Sequence, residues 1–312
     1  MISISIFTAR RALGFGLALL AVAPITAAET GRTFPTPEAA VAALAGALST
    51  TNWVELRAIF GPAAEDIENP DRVQADQELS EFTAALNQKT RIVRESDRFV
   101  LAVGNYAWPF PIPIMQKDGQ WVFNTEAGKE ELLNRRIGGN ELETLQVMRG
   151  YVEAQREYAS RDRDGDEVLE YAQKIISTPG AKDGLYWSPD IDGEISPLGP
   201  LIADAANEGY RKKNSNIDGK RQPFHGYLFK ILTRQGKHAP GGKHSFITNG
   251  KMIGGFALVA WPAEYGQSGI MTFIVNQQGR IYQKDLGSKT YRTPQTIKEY
   301  DPDKTWTLPT DW

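Results

Sequence analysis

The chain of 312 residues contains no cysteine. That absence excludes disulfide staples, thiolate metal sites, thiol nucleophiles and a lipid-bearing cysteine behind an export signal. Histidine is scarce: three in all, with none at the i, i+4 spacing of a helical metal pair. Charge of one sign is missing too. Lysine and arginine number 35 against 38 acids, a net −3 with no basic block, which is a poor match to nucleic acid or an anionic membrane surface. After the first 28 residues no apolar run reaches the ~20 residues that span a bilayer. Recognisable catalytic motifs are also lacking. Ser196 does not sit in a strand–Ser–helix elbow. Gly254-Gly255 is too short to cradle a phosphate and fits a bulge or close packing instead.

What is present begins at the N-terminus. Arg10 and Arg11 precede an apolar run from Ala12 to Ala23, and Thr26-Ala27-Ala28 follows. This is a basic segment, an apolar segment too short to span, and small residues at −3 and −1 of a cleavage site. Residues 1–28 are therefore expected to be a signal peptide, and the mature protein to be periplasmic or secreted, with no transmembrane anchor. Two arginines also fit twin-arginine export, although Ala12-Leu13-Gly14 lacks its consensus. Removing that segment leaves 33 basic against 38 acidic side chains, a net −5.

Along the mature chain, Thr36-Pro37-Glu38 reads as N-cap, proline at the first helical position and an acid in the first turn. Ala40, Val41, Leu44, Ala47 and Leu48 follow at helical spacing. A second helix carries Trp53, Leu56 and Phe60 and stops at Gly61-Pro62. Ala75, Leu79, Phe82 and Leu86 mark a third. Strands are then expected at 91–94 and 99–103 around Ser96-Asp97, with a hairpin at Lys117-Asp118-Gly119. Pro109, Pro111 and Pro113 alternate along 106–115 and place that stretch at a sheet edge or irregular rim.

A helix over 126–136 is expected to break at Gly138-Gly139. Asn140 with Glu143 then caps a long amphipathic helix to about Ser160. Strands are expected at 224–232, 252–261, 270–276 and 280–284. The Gly/Pro-rich stretch 178–223 holds one short helix, Leu201 to Tyr210, and is otherwise irregular. The fold class is α+β: helices packed on a curved antiparallel sheet, then a long helix packed on a second antiparallel sheet. The expected division is a cone-like domain over 33–138 and a pilin-like domain over 139–312.

Several segments together resemble an exported bacterial family, domain of unknown function 2950. They are Asp183-Gly184-Leu185-Tyr186-Trp187, Phe224-His225-Gly226-Tyr227, the run from Gly254 to Gly266, Met271 to Asn276, and Tyr282 to Gly287. The resemblance covers the mature chain and implies compartment and architecture, without an activity. More loosely, 34–136 is similar to nuclear-transport-factor-2-like domains. The segment from Asn140 onward is similar to the globular part of type IV pilins, but it follows a folded domain rather than a free apolar assembly segment.

The best chemical constellation is Asp162, Asp164, Asp166 and Glu170. Alternating carboxylates in a glycine-containing loop suit Ca²⁺, a hard cation that takes six to eight oxygens. The first three match positions one, three and five of an EF-hand-like loop, but Glu167 replaces the glycine at six and Gln173 the glutamate at twelve. The same residues also read as a solvated helix-ending turn neutralised by Arg161 and Arg163. His238 and His244 share a polar loop, and His225 opens a strand. Glu264 and Asp285 are an unplaced acid–base pair. Trp108, Phe110 and Trp121 either line the mouth of the first sheet or form its core. The functional expectation is an envelope protein acting as a non-catalytic binding or assembly-accessory module with an envelope protein partner. The alternative is a small-ligand carrier or carboxylate-based hydrolase using a cavity in the first domain.

Overall fold

The computed structural model describes residues 31–188, 193–201, 216–217, 220–221 and 223–309. The expected signal peptide lies outside them, as does the 201–210 helix beyond Leu201.

The described chain opens with helices. Helix α1 (Pro37–Ser49) starts where Thr36 accepts a hydrogen bond from Ala39 N at 3.1 Å, and it buries Ala40, Val41, Leu44, Ala47 and Leu48. Helix α2 (Trp53–Phe60) is capped by Asn52 and ends at Gly61, burying Leu56 and Ile59. A single turn, α3 (Ala64–Ile67), leads to α4 (Arg72–Gln88). Asp71 caps α4, its Oδ1 accepting from Val73 N at 3.1 Å and Gln74 N at 3.3 Å.

The strands β1 (Thr90–Glu95), β2 (Arg98–Val103), β3 (Trp108–Pro109), β4 (Ile114–Lys117) and β5 (Gln120–Phe123) form one antiparallel sheet. β3 and β4 share one edge of β2. Ala102 and Val103 face Pro109 and Trp108, while Arg98 and Phe99 face Met115 and Ile114. The prolines lie on and between these two ladders, where their missing N–H groups interrupt pairing. The expected irregular rim is therefore real, and it opens the sheet beside Trp108. Fifteen buried residues from Phe34 to Phe123 make one hydrophobic core here.

Helix α5 (Thr125–Tyr158) runs unbroken for 34 residues. This corrects the expected break at Gly138-Gly139 and the reading of Asn140 as an N-cap. The cap is Asn124, which accepts from Ala127 N at 3.1 Å. Two mid-helix glycines cost about 1 kcal/mol each relative to alanine. Tertiary bonds on both sides of the pair hold the helix against that cost. Arg136 donates to the carbonyls of Ile67 and Glu68, and Asn140 is wholly buried between Gln74 and Ser268.

The second sheet is β6 (Tyr227–Leu232), β7 (Ala257–Pro262), β8 (Met271–Asn276) and β9 (Tyr282–Asp285), antiparallel throughout in the order 9-8-7-6. The expected strand over 252–261 divides in two. A short hairpin piece, Lys251–Met252, is separated from β7 by Gly254 and Gly255. Gly255 has φ +132°, and a Cβ there would lie 2.9 Å from the Gln277 carboxamide, so close packing explains this pair. Every residue of β7 is buried, and α5 supplies Leu145, Met148, Tyr151, Val152, Ala154 and Tyr158 to the same core. No helix among the described residues is long and apolar enough to cross a membrane.

Candidate functional site

The open rim of the first sheet becomes a cavity of about 510 Å³ between α4, α5 and the Trp108–Pro111 segment. That size lies within the range of small-molecule sites, roughly 300–1,000 Å³. Its walls are Ile67, Phe82, Ala85, Val103, Trp108, Pro111 and Leu132, and its charged groups are Glu78, Glu81, Arg135 and Arg136. A second cavity of about 210 Å³ continues toward Leu44, Trp53, Leu56 and Phe110, sharing Ile67, Glu78, Phe82 and Arg136.

Aromatic packing sets the wall. The Phe82 ring meets Trp108 edge-on at 6.1 Å and lies 4.9 Å from Phe110. Phe110 continues to Phe123 and Phe60 in the core. Arg135 stacks over Trp108 at 5.1 Å while donating to Glu131 and to the Pro109 carbonyl, so its charge is already engaged. The three aromatics singled out in sequence therefore separate. Trp108 lines the cavity and is half exposed, Phe110 joins core to wall, and Trp121 packs on Phe99 at 5.1 Å away from both cavities.

Two charged groups, Arg136 and Glu78, line both cavities. Arg136 is 9% exposed; Nη1 donates to Glu68 O at 3.1 Å and Nη2 to Ile67 O at 2.5 Å, while its buried Nε has no partner. Burial holds its pKa below the usual guanidinium range, with Glu78 opposing that shift. Glu78 is exposed, and both its oxygens accept from Asn69 Nδ2 at 3.2 Å. Desolvation raises its pKa, against the lowering effects of Asn69 and Arg136. No ion pair within 4.0 Å joins Glu78 to Arg136 among the described residues.

The acidic loop lies elsewhere, beyond the end of α5. Ligand atoms of Asp162, Asp164 and Asp166 lie within 4.8 Å of one another. Asp162 is turned inward: Oδ1 accepts from Gly165 N at 2.8 Å and Asp164 N at 3.2 Å, and Oδ2 accepts from Glu167 N at 2.8 Å. Those backbone donors, Glu167 N first, lower its pKa. The charge at the centre of the other carboxylates is Lys251. Its Nζ lies 2.5 Å from Asp166, 2.8 Å from Asp164 and 3.3 Å from Glu170. The Asp164 hydrogen bond, then that of Asp166, pushes the Lys251 pKa upward. Arg161 and Arg163, expected to neutralise the loop, instead pair with Glu194.

A family model described as a protein of unknown function, DUF2950, matches residues 31–308. The chain belongs to this family. No curated protein and no solved structure matches it. The remaining sequence candidates of this DUF2950 chain are scattered. His238 Nδ1 lies 2.9 Å from Asp301 Oδ2, and His244 Nδ1 lies 3.2 Å from the Gly242 carbonyl. Asp285 accepts from Tyr265 OH at 3.1 Å and from Gly287 N at 2.7 Å. Glu78 and Arg136, 58 positions apart, carried no local sequence signal; neither belongs to a motif.

Proposed function

We propose that this member of the family is an exported binding module whose first α+β unit takes a small, largely apolar molecule in the groove between α4, α5 and the Trp108–Pro111 rim. The observation that carries this reading is an open cavity of about 510 Å³ with an aromatic wall and a few polar groups. That combination characterises small-ligand sites. It favours the carrier reading over a purely assembly-accessory role. Export to the periplasm or beyond is part of the proposal, as are the cone-like and pilin-like descriptions of the two units. We place their division between two hydrophobic cores that share α5, rather than at a linker.

The test is saturable binding of the neutral apolar fluorophore 1-N-phenylnaphthylamine. Leu132 lines the groove, so Leu132→Trp should narrow it and weaken binding several-fold while the thermal melt is preserved. No saturable binding up to the solubility limit of the probe refutes the proposal. For the acidic loop we propose a cation-dependent fold in which Lys251 is the resident cation and Ca²⁺ is its competitor.

A further inference from the structure

We infer that the groove is built for an amphipathic anion, its acidic head meeting Arg136 and its apolar body lying along Phe82, Trp108 and Leu132. This rests on the groove-binding reading and names its ligand class.

The argument begins from an asymmetry between donors and acceptors. Arg136 is nine-tenths buried, and its Nε is left without an acceptor. Buried donors in native proteins are nearly always satisfied, so an orphan on a residue that lines the cavity points to an acceptor that a ligand can bring. Its other partners are the carbonyls of Ile67 and Glu68, which accept hydrogen bonds but carry no net charge. A guanidinium in apolar surroundings without an ion pair favours an anionic acceptor, because charge-assisted bonds are about twice as strong as neutral ones. The acceptors are not short in the same way. Glu78 is already bonded through both oxygens to Asn69 Nδ2. Arg135 is engaged with Glu131, the Pro109 carbonyl and the Trp108 face. Glu81, like Glu78, is exposed to water, so the unmet need inside the protein is for an acceptor at Arg136.

Glu78 tunes this selectivity. The groups facing it are Asn69 from the preceding turn, Asp71 and Glu81 on α4, and Arg136 on α5. Its raised pKa means that acidification neutralises it earlier than an ordinary glutamate, removing a negative charge from beside the bound head. Anion affinity should therefore rise as pH falls toward the carboxylate range, and a neutral ligand should show no such trend.

Three probes with one ten-carbon tail separate the possibilities: decanesulfonate, whose head does not titrate, decanol and decyltrimethylammonium. Titration calorimetry on the mature chain should show decanesulfonate binding at least tenfold tighter than decanol, with the cation weakest. In Arg136→Met the sulfonate and the alcohol should fall within about twofold of each other. If that variant does not fold, Glu78→Gln decides. It should bind decanesulfonate several-fold tighter at neutral pH and lose the pH dependence. Equal affinity for sulfonate and alcohol in the wild type overturns the inference, as does a Glu78→Gln variant with unchanged sulfonate affinity. Binding of none of the three probes refutes the groove reading itself.

Discussion

Replacing Asn140 by alanine should weaken the coupling between the two halves of the molecule. Asn140 is 0% exposed, donates to Ser268 O at 2.8 Å and accepts from Gln74 Nε2 at 2.7 Å. It thus ties α4 of the first core and the 264–270 loop of the second to the helix they share. Around it, Asp71 Oδ2 accepts from Gly226 N at 3.1 Å, and Glu141 Oε1 accepts from Ile270 N and Met271 N at 2.9 and 3.0 Å. Truncation strands the Ser268 carbonyl in a dry interior, which costs about 1–3 kcal/mol. The half-buried Gln74 amide regains some water, so its loss adds about 0.5–1 kcal/mol. A total of about 1.5–4 kcal/mol corresponds to a Tm lower by roughly 3–7 °C for a chain of this length, at about 2.1 cal/mol/K of unfolding entropy per residue. Differential scanning calorimetry should also show the single transition broaden or split, because the remaining contacts of each core are mostly its own. A variant that melts as one sharp transition, within about 0.5 kcal/mol of wild type, would refute the view that this polar junction couples the cores.

Further outcomes follow from neighbouring features. Gly138→Ala and Gly139→Ala should each stabilise by about 0.5–1 kcal/mol in urea unfolding, since both positions are helical and an added Cβ meets nothing within 4 Å; destabilisation would show that a hinge is needed there. Lys251→Met leaves Asp164, Asp166 and Glu170 without their ammonium partner, so millimolar Ca²⁺ should raise its melting temperature more than that of wild type; equal responses against chelator would remove the cation reading of the loop. Glu194 has its pKa lowered by hydrogen bonds from Lys182 and then Arg163. Its contribution is therefore complete above the ordinary value of 4.5 and lost as pH falls below it, so Glu194→Gln should flatten the acid limb of a Tm-against-pH profile and leave the neutral plateau lower.

Much of the local structure was legible because its causes are local. The Thr36 cap, the stop at Gly61 and the Asp118-Gly119 hairpin each depend on residues within four positions, and all three stand where the pattern placed them. The α+β class follows from the same signals. Asn140 shows the limit of such signals. Asn-x-x-Glu is the same string at a helix start and inside a helix, and only Gln74 and Ser268, 66 and 128 positions away, decide which it is.

The two sites differ in legibility for the same reason. The acidic loop was visible because its carboxylates are adjacent in sequence, but its counter-ion was not, since Lys251 lies 87 positions from Asp164. An acidic motif reports a demand for positive charge and leaves open whether an ion or the chain itself meets it. The groove is the converse case. Its polar groups come from different helices and form no motif, so composition and spacing gave only an aromatic-rich rim beside alternating prolines. Those prolines lie on and between the separate ladders that β3 and β4 make with β2, beside the wall that Phe82 and Trp108 share. Arg136, carried by a helix that runs continuous through two glycines, brings to the lining a buried Nε without an acceptor among the described residues.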